Sequence, residues 1–348
     1  MTVTKKMGEK LVIQGTQNRK QEEAMYNQIR TMIEKGGRLE FDEALELARS
    51  AQGNADNLTS LLGVADMVRR HFHGNHFDLC SIINARSGKC SENCRFCAQS
   101  SHYDVEVESY RCVTEEETLA LARENEAHHV GRFSLVTAGH HVSAEDLRTL
   151  FAPLCHTLME KTSLALCASM GFLTPERAHL LKEMGISRYH CNLETCRDYF
   201  PKVCTTHTWE EKVETLGIAK EAGLSLCSGG IIGLGESLAQ RLEMAFELRE
   251  IGVDSVPINI LMPIKGTPFE MMEPISREDA LIAIAMFRLI LPQAVIRIAG
   301  GRNHLGDEQE KLFLGGAGGA IVGNYLTTAG NGLVGDVAMF KRLGFVFN

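Results

Sequence analysis

The chain has 348 residues, 44% of them hydrophobic, with a formal net charge of −8 and a pI near 5.9. That is enough apolar material for one barrel-sized core or two ordinary domains, and the acidic balance argues against a general nucleic-acid binder. No apolar run reaches the length of a membrane span, residues 1–36 carry no apolar signal core, and eleven cysteines without such a signal point to a reducing, cytoplasmic setting in which thiols serve metals or catalysis.

Residues 1–36, polar and mildly basic through Lys5, Lys6, Lys10, Arg19 and Lys20, read as a helical or loosely ordered extension, with the main domain over 37–348. Phe41, Ala44, Leu45 and Leu47, then Leu58 to Val68, fall at helix spacing. From residue 77 short apolar runs alternate with longer amphipathic stretches. The runs are 77–84, 132–139, 163–170, 187–193, 224–230, 255–261, 294–299 and 319–324. Helix starts are signalled by the capping box at Thr114 and Glu117, by Ser143 ahead of Glu145 and Asp146, by Thr174-Pro175-Glu176, and by Thr208 and Ser276; Gly185, Gly223, Gly252 and Gly344 mark helix ends. Eight strand–helix alternations predict an α/β fold, a (β/α)8 TIM-type barrel with an N-terminal helical extension; a doubly wound open sheet is the alternative.

Active sites of such barrels lie at the C-terminal ends of the strands. Cys90, Cys94 and Cys97, spaced Cys-x-x-x-Cys-x-x-Cys, follow the first strand there. Three close thiolates suit three irons of a four-iron cluster and leave one iron open to bind a small molecule; zinc is the competing reading, although no second Cys-x-x-Cys is present. Asn192 and Glu194 end the fourth strand, Ser228 and Gly229 the fifth; Asn259 lies in the sixth and Arg297 in the seventh. Cys80, Cys167 and Cys227 fall in strands one, three and five, and side chains of alternate strands share an interior layer of a barrel, so these thiols converge on one point or else are ordinary buried cysteines. A buried Arg297 needs a partner, for which Glu194 is one choice and a cluster or substrate anion another. Cys112, Cys155, Cys196 and Cys204 read as structural, Cys191 stays ambiguous, and His140-His141 is unassigned. Gly229 to Glu236 is a weak glycine loop, and Gly315 to Gly319 suits close packing or helix termination.

The triple cysteine resembles the cluster motif of the radical S-adenosylmethionine enzymes. "CSENCRFCAQSS", "CNLET", "CSGGIIGLGE", "SVPINILMPIKGTP" and "AGGR" are similar, in order and spacing, to the motifs of the biotin synthase family within that superfamily, from about residue 40 to the C-terminus. The resemblance implies a (β/α)8 barrel, homodimeric, and a radical sulfurtransferase reaction that inserts sulfur between C6 and C9 of dethiobiotin to form biotin. It implies a [4Fe–4S] cluster on Cys90, Cys94 and Cys97, S-adenosylmethionine on the open iron, a low-potential electron donor such as flavodoxin or ferredoxin, and an auxiliary iron–sulfur cluster, [2Fe–2S] or a four-iron type, as sulfur source. No nucleic acid or membrane is implied as a partner.

By motif position, Asn192 and Glu194 resemble ribose contacts, Phe96 and Ile231 adenine contacts, and Asn259 with Asn192 substrate contacts; Arg297 joins the three cluster cysteines in the catalytic set. Glu194 stands where the family more often has Asp. The usual auxiliary ligands are three strand cysteines and an arginine. Cys167, Cys227 and Arg297 match three of them, but Ser134 occupies the fourth position and Cys80 stands where a serine is usual. The implied cluster is therefore rebuilt on Cys80, Cys167 and Cys227, with Arg297 as neighbour. Two other functions remain open: a radical enzyme that inserts no sulfur, and a non-catalytic iron–sulfur redox module.

Overall fold

In the computed structural model, which describes residues 24–323 and 332–347, eight barrel strands appear where the eight apolar runs predict them. They are β1 (Asp78–Arg86), β2 (Arg132–Thr137), β3 (Ala165–Ser169), β4 (Arg188–His190), β5 (Ser225–Cys227) continued by β6 (Gly230–Ile232), β7 (Ser255–Ile260), β8 (Val295–Ile298) and β9 (Gly319–Ile321). All pair in parallel, in the order β5-β4-β3-β2-β1-β9-β8-β7-β6, and the β5–β7 pairing at Cys227 and Ser255 closes the ring. The open-sheet alternative is thereby excluded. The fifth strand is in two pieces, and backbone approaches closely between them. A Cβ on Gly229 would lie 2.0 Å from the carbonyl oxygen of Pro257. Asn324, the end of the last predicted run, lies outside the described residues.

The predicted caps are present. Thr114 and Thr208 form reciprocal capping boxes with Glu117 and Glu211, and Ser143, Thr174 and Ser276 each accept a first-turn backbone N–H. Gly185, Gly223, Gly252 and Gly344 all take positive φ where a helix ends. Gly316 packs against Ala65 and Arg288, where a Cβ would come within 2.9 Å of the arginine's own Cβ, so the glycine run does serve close packing.

Of the predicted extension, residues 1–23 lie outside the described residues, while 24–34 form a helix that buries Tyr26 and Ile33. The Tyr26 hydroxyl donates to the carbonyl of Asn57 at 3.1 Å, in the helix Ala55–His73. The helix Phe41–Ala51 packs on the outer helices Leu238–Ile251 and Arg277–Ile290, and Ala55–His73 packs on Arg277–Ile290. The latter is buried along nearly its whole length, which explains its almost unbroken apolar sequence. At its end Arg288, fully buried, donates to the carbonyls of Pro292, Ala294 and Gly316, holding the carbonyls that follow the helix.

Candidate functional site

Strand residues alternate between two faces, so the inward ones are fixed by register. Cys80 and Ile82 of β1, Arg132, Ser134 and Val136 of β2, Cys167 and Ser169 of β3, Arg188 and His190 of β4, Cys227 of β5, Pro257 and Asn259 of β7 and Arg297 of β8 all face one cavity of about 450 Å³. Cys90, Cys94, Cys97, Phe96, Cys191, Asn192, Glu194 and Ile231 line the same cavity. The candidate cluster, cofactor and substrate residues therefore meet in one place, while Ser228 and Gly229 at the end of the fifth strand do not line it.

The inner wall alternates thiol and guanidinium. Cys80 lies beside Arg132 in the β1–β2 register, and Cys167 lies between Ser134 and Arg188. Cys227 pairs with His190, whose Nδ1 is 3.4 Å from its Sγ. Burial pushes the Cys80 thiol up to about 12, and Cys167 likewise upward. At Cys227 burial acts the same way, but His190, Arg297 and Arg188 outweigh it and bring the thiol down to about 7. An anionic group held by these thiols would find three arginines around it, and the donor set is the soft one that iron–sulfur clusters take.

Arg297 does not pair with Glu194. Its Nη2 lies 2.9 Å from Asp78 Oδ1, and the other carboxylate oxygen, Oδ2, holds Arg132 Nε at 3.3 Å. The reason is register. Arg297 and Asp78 both face Gly319, which has no side chain to separate them. The Asp78 carboxyl is thereby held low against its burial.

At the mouth, the cluster loop after β1 is pinned by backbone bonds from Cys90 N to Gln99 O and Ser101 N to Cys90 O. Phe96 is partly buried against the core. Glu194 adopts φ 70°, an unusual conformation for a side-chain-bearing residue. Two bonds hold it there, from its N–H to Gly229 O at 3.2 Å and from Ile231 N–H to its own carbonyl at 2.9 Å. Asn192 Oδ1 accepts the Gly229 N–H at 3.0 Å and its amide donates to Glu194 Oε2 at 3.3 Å. Asn259 Oδ1 accepts the Gly300 N–H at 3.0 Å.

Four residues at this mouth escaped the sequence reading. Lys212 is buried, and against that desolvation its neighbours, Cys191 and Glu194 first among them, hold its pKa up. Cys204, read as structural, stands 3.7 Å from Cys94, sulfur to sulfur, and with His207 the two form a compact group of potential ligands. Glu92 Oε2 lies 2.5 Å from His207 Nδ1. Only a signal linking 92–94 to 204–212 across the fold could have found them.

Residues 84–248 match the Radical SAM superfamily and residues 257–346 the Biotin and Thiamin Synthesis associated domain. The biotin synthase of Desulfotalea psychrophila is 55% identical over 93% of this chain and 95% of its own length. The chain belongs to the biotin synthase family. The biotin synthase of Acetivibrio thermocellus is 50% identical over 90% of this chain and 96% of its own. Among solved structures, methylornithine synthase superposes with TM-score 0.78 at 18% identity over 92% of this chain and 97% of that one, and the FeFe-hydrogenase maturase HydG from Carboxydothermus hydrogenoformans with 0.76 at 20% over 99% and 83%. These two support the barrel fold. Membership of the biotin synthase family brings with it a [4Fe–4S] cluster, S-adenosylmethionine and an auxiliary cluster, and the two thiol groups of the cavity suit such groups chemically.

Proposed function

We propose that this chain converts dethiobiotin to biotin, using S-adenosylmethionine, in a radical sulfur-insertion reaction. The observation that carries this reading is the pair of cysteine triplets on one cavity, one at the mouth and one on alternate strands inside, in a chain of this family. When bound, the clusters supply an electron that splits S-adenosylmethionine into methionine and a 5′-deoxyadenosyl radical, and the sulfur that closes the ring between C6 and C9.

The protein's part is to hold and to exclude. Cys90, Cys94 and Cys97 are the ligands of the four-iron cluster. Cys80, Cys167 and Cys227 are those of the auxiliary cluster, and Arg297, committed to Asp78, is its neighbour rather than a ligand. Glu194 and Asn192 hold the ribose, Phe96 and Ile231 flank the adenine, and Asn259 with Asn192 orients the ureido ring of dethiobiotin. Lys212, the buried cation at the mouth, suits the carboxylate of S-adenosylmethionine. The barrel wall keeps water and stray hydrogen donors from the radical.

A low-potential donor such as flavodoxin or ferredoxin supplies the electron, residues 37–348 form the catalytic domain, and the enzyme works as a homodimer in the cytoplasm. Among the described residues no helix is long and apolar enough to cross a membrane. The test is an anaerobic assay of the cluster-reconstituted chain with dethiobiotin, S-adenosylmethionine and a strong reductant, following products by mass spectrometry. Biotin with about two 5′-deoxyadenosines, one for each hydrogen removed, supports the proposal. Deoxyadenosine without biotin overturns the sulfur-insertion step.

A further inference from the structure

Behind the cluster loop lies a buried polar group that the assignment above leaves unused. Cys204 follows the short turn Phe200–Lys202 and is 3% exposed. A buried thiol that merely packs has carbon neighbours. This one has four heteroatoms: Asn93 Oδ1 at 3.3 Å, Thr206 Oγ1 at 3.4 Å, His207 Nδ1 at 3.4 Å and Cys94 Sγ at 3.7 Å.

Two of these have no lone pair left, and the third, a hydroxyl oxygen, has one. Asn93 Oδ1 accepts the backbone N–H groups of Thr205 at 2.9 Å and Thr206 at 3.2 Å, which use both of its lone pairs. Thr206 Oγ1 gives its proton to Glu92 Oε2 at 2.6 Å and accepts the Asn93 N–H at 3.1 Å. His207 Nδ1 lies 2.5 Å from the same carboxylate oxygen; an ionised carboxylate only accepts, so the ring proton sits between them and Nδ1 has no lone pair to offer. Thr206 Oγ1 keeps one lone pair, but it is a neutral oxygen; Cys94, which carries the proton between the two sulfurs in the cluster-free chain, loses it on ligating iron, can then only accept, and becomes the anionic and stronger acceptor beside Cys204.

We propose that Cys204 is a positioning residue for the cluster at the barrel mouth: its S–H donates a hydrogen bond to the Cys94 sulfur when that sulfur ligates iron, and so raises the cluster's reduction potential. The inference rests on the reading of Cys90, Cys94 and Cys97 as the cluster ligands. Hydrogen bonds to ligand sulfurs draw off electron density and favour the more negative, reduced cluster. Glu92, two residues after Cys90, ties the arrangement together by holding both Thr206 and His207 beside the thiol.

The experiment is an anaerobic redox titration of the reconstituted full chain, followed by electron paramagnetic resonance. The signal read is the one that changes when S-adenosylmethionine is added, which separates the mouth cluster from the auxiliary one. Cys204→Ala shifts the midpoint to more negative potential with iron content unchanged, and Cys204→Ser, which keeps a donor of similar size, restores most of the shift. Should the alanine variant fail to assemble, Cys204→Val fills the site without a donor and takes its place. An unmoved midpoint in the donor-less variant overturns the inference. So does a Cys94→Ala protein that keeps the S-adenosylmethionine-responsive cluster, since Cys204 would then be a ligand. Absence of any such signal in the wild-type protein overturns instead the ligand reading beneath it.

Discussion

The carboxylate of Asp78 stands between two inward-facing arginines, 2.9 Å from Arg297 Nη2 and 3.3 Å from Arg132 Nε. Arg297 is 2% exposed and cannot shed its charge to water. Replacing Asp78 with Asn strands two guanidinium groups and costs about 3 kcal/mol of folding stability. Denaturant unfolding of the cluster-free chain measures this; a change under about 0.5 kcal/mol, the usual surface effect, would show that the pair is not holding the floor of the barrel.

The inner thiols give a prediction that needs no turnover. With Cys90, Cys94 and Cys97 changed to alanine, the reconstituted protein keeps only its auxiliary iron. A four-iron type gives about four irons per chain; about two excludes it. Adding Cys80→Ala to that background lowers the count, whereas adding Ser134→Ala leaves it unchanged, because oxygen is the poorer ligand for such clusters.

Gly230 has no room for a methyl group. Its Cβ would lie 2.4 Å from the Glu194 carbonyl oxygen and 2.5 Å from Met244 Sδ. Gly230→Ala therefore displaces the backbone strap that holds Glu194, at about 1–3 kcal/mol. The expected result is a KM for S-adenosylmethionine raised at least about tenfold, with auxiliary iron retained. An unchanged KM in a folded variant removes Glu194 from the ribose site.

His73 sets an acid limit on stability. Burial, then Arg288 and Arg69, lower its pKa from 6.5 to about 4 in the folded chain. The unfolded chain thus binds the additional proton between these values, and folding weakens as pH falls from 6.5 towards 4. In thermal melts of the cluster-free chain, His73→Gln should lose less stability than wild type over that window. Parallel slopes would place the acid sensitivity elsewhere.

Much of this architecture is legible in the sequence because its determinants are local. Thr114 with Glu117, Ser276 ahead of an apolar helix, and glycines that end helices each act within a few residues. The strands are legible because a barrel strand, buried on both faces, reads as a short apolar run, and Cys80, Cys167 and Cys227 share an interior layer because their strands alternate around the barrel. What stays hidden depends on what two distant strands or loops bring together. Asp78, not Glu194, holds Arg297 because both strands flank Gly319. Cys204 resembles any buried cysteine until the fold sets it beside Cys94, and Lys212 reads as one more helix cation until Trp209–Glu221 turns it inward.

The ion pairs of Asp78 bar the barrel on the side where its strands begin, while the cysteine loop, Glu194 and Asn259 border the opposite opening. A sulfur source seated on Cys80, Cys167 and Cys227 then shares one doorway with both small molecules. On the proposed ligand set, replenishment takes turns with catalysis: spent nucleoside and finished product leave before fresh sulfide and iron enter, and recharging is expected to slow as S-adenosylmethionine rises.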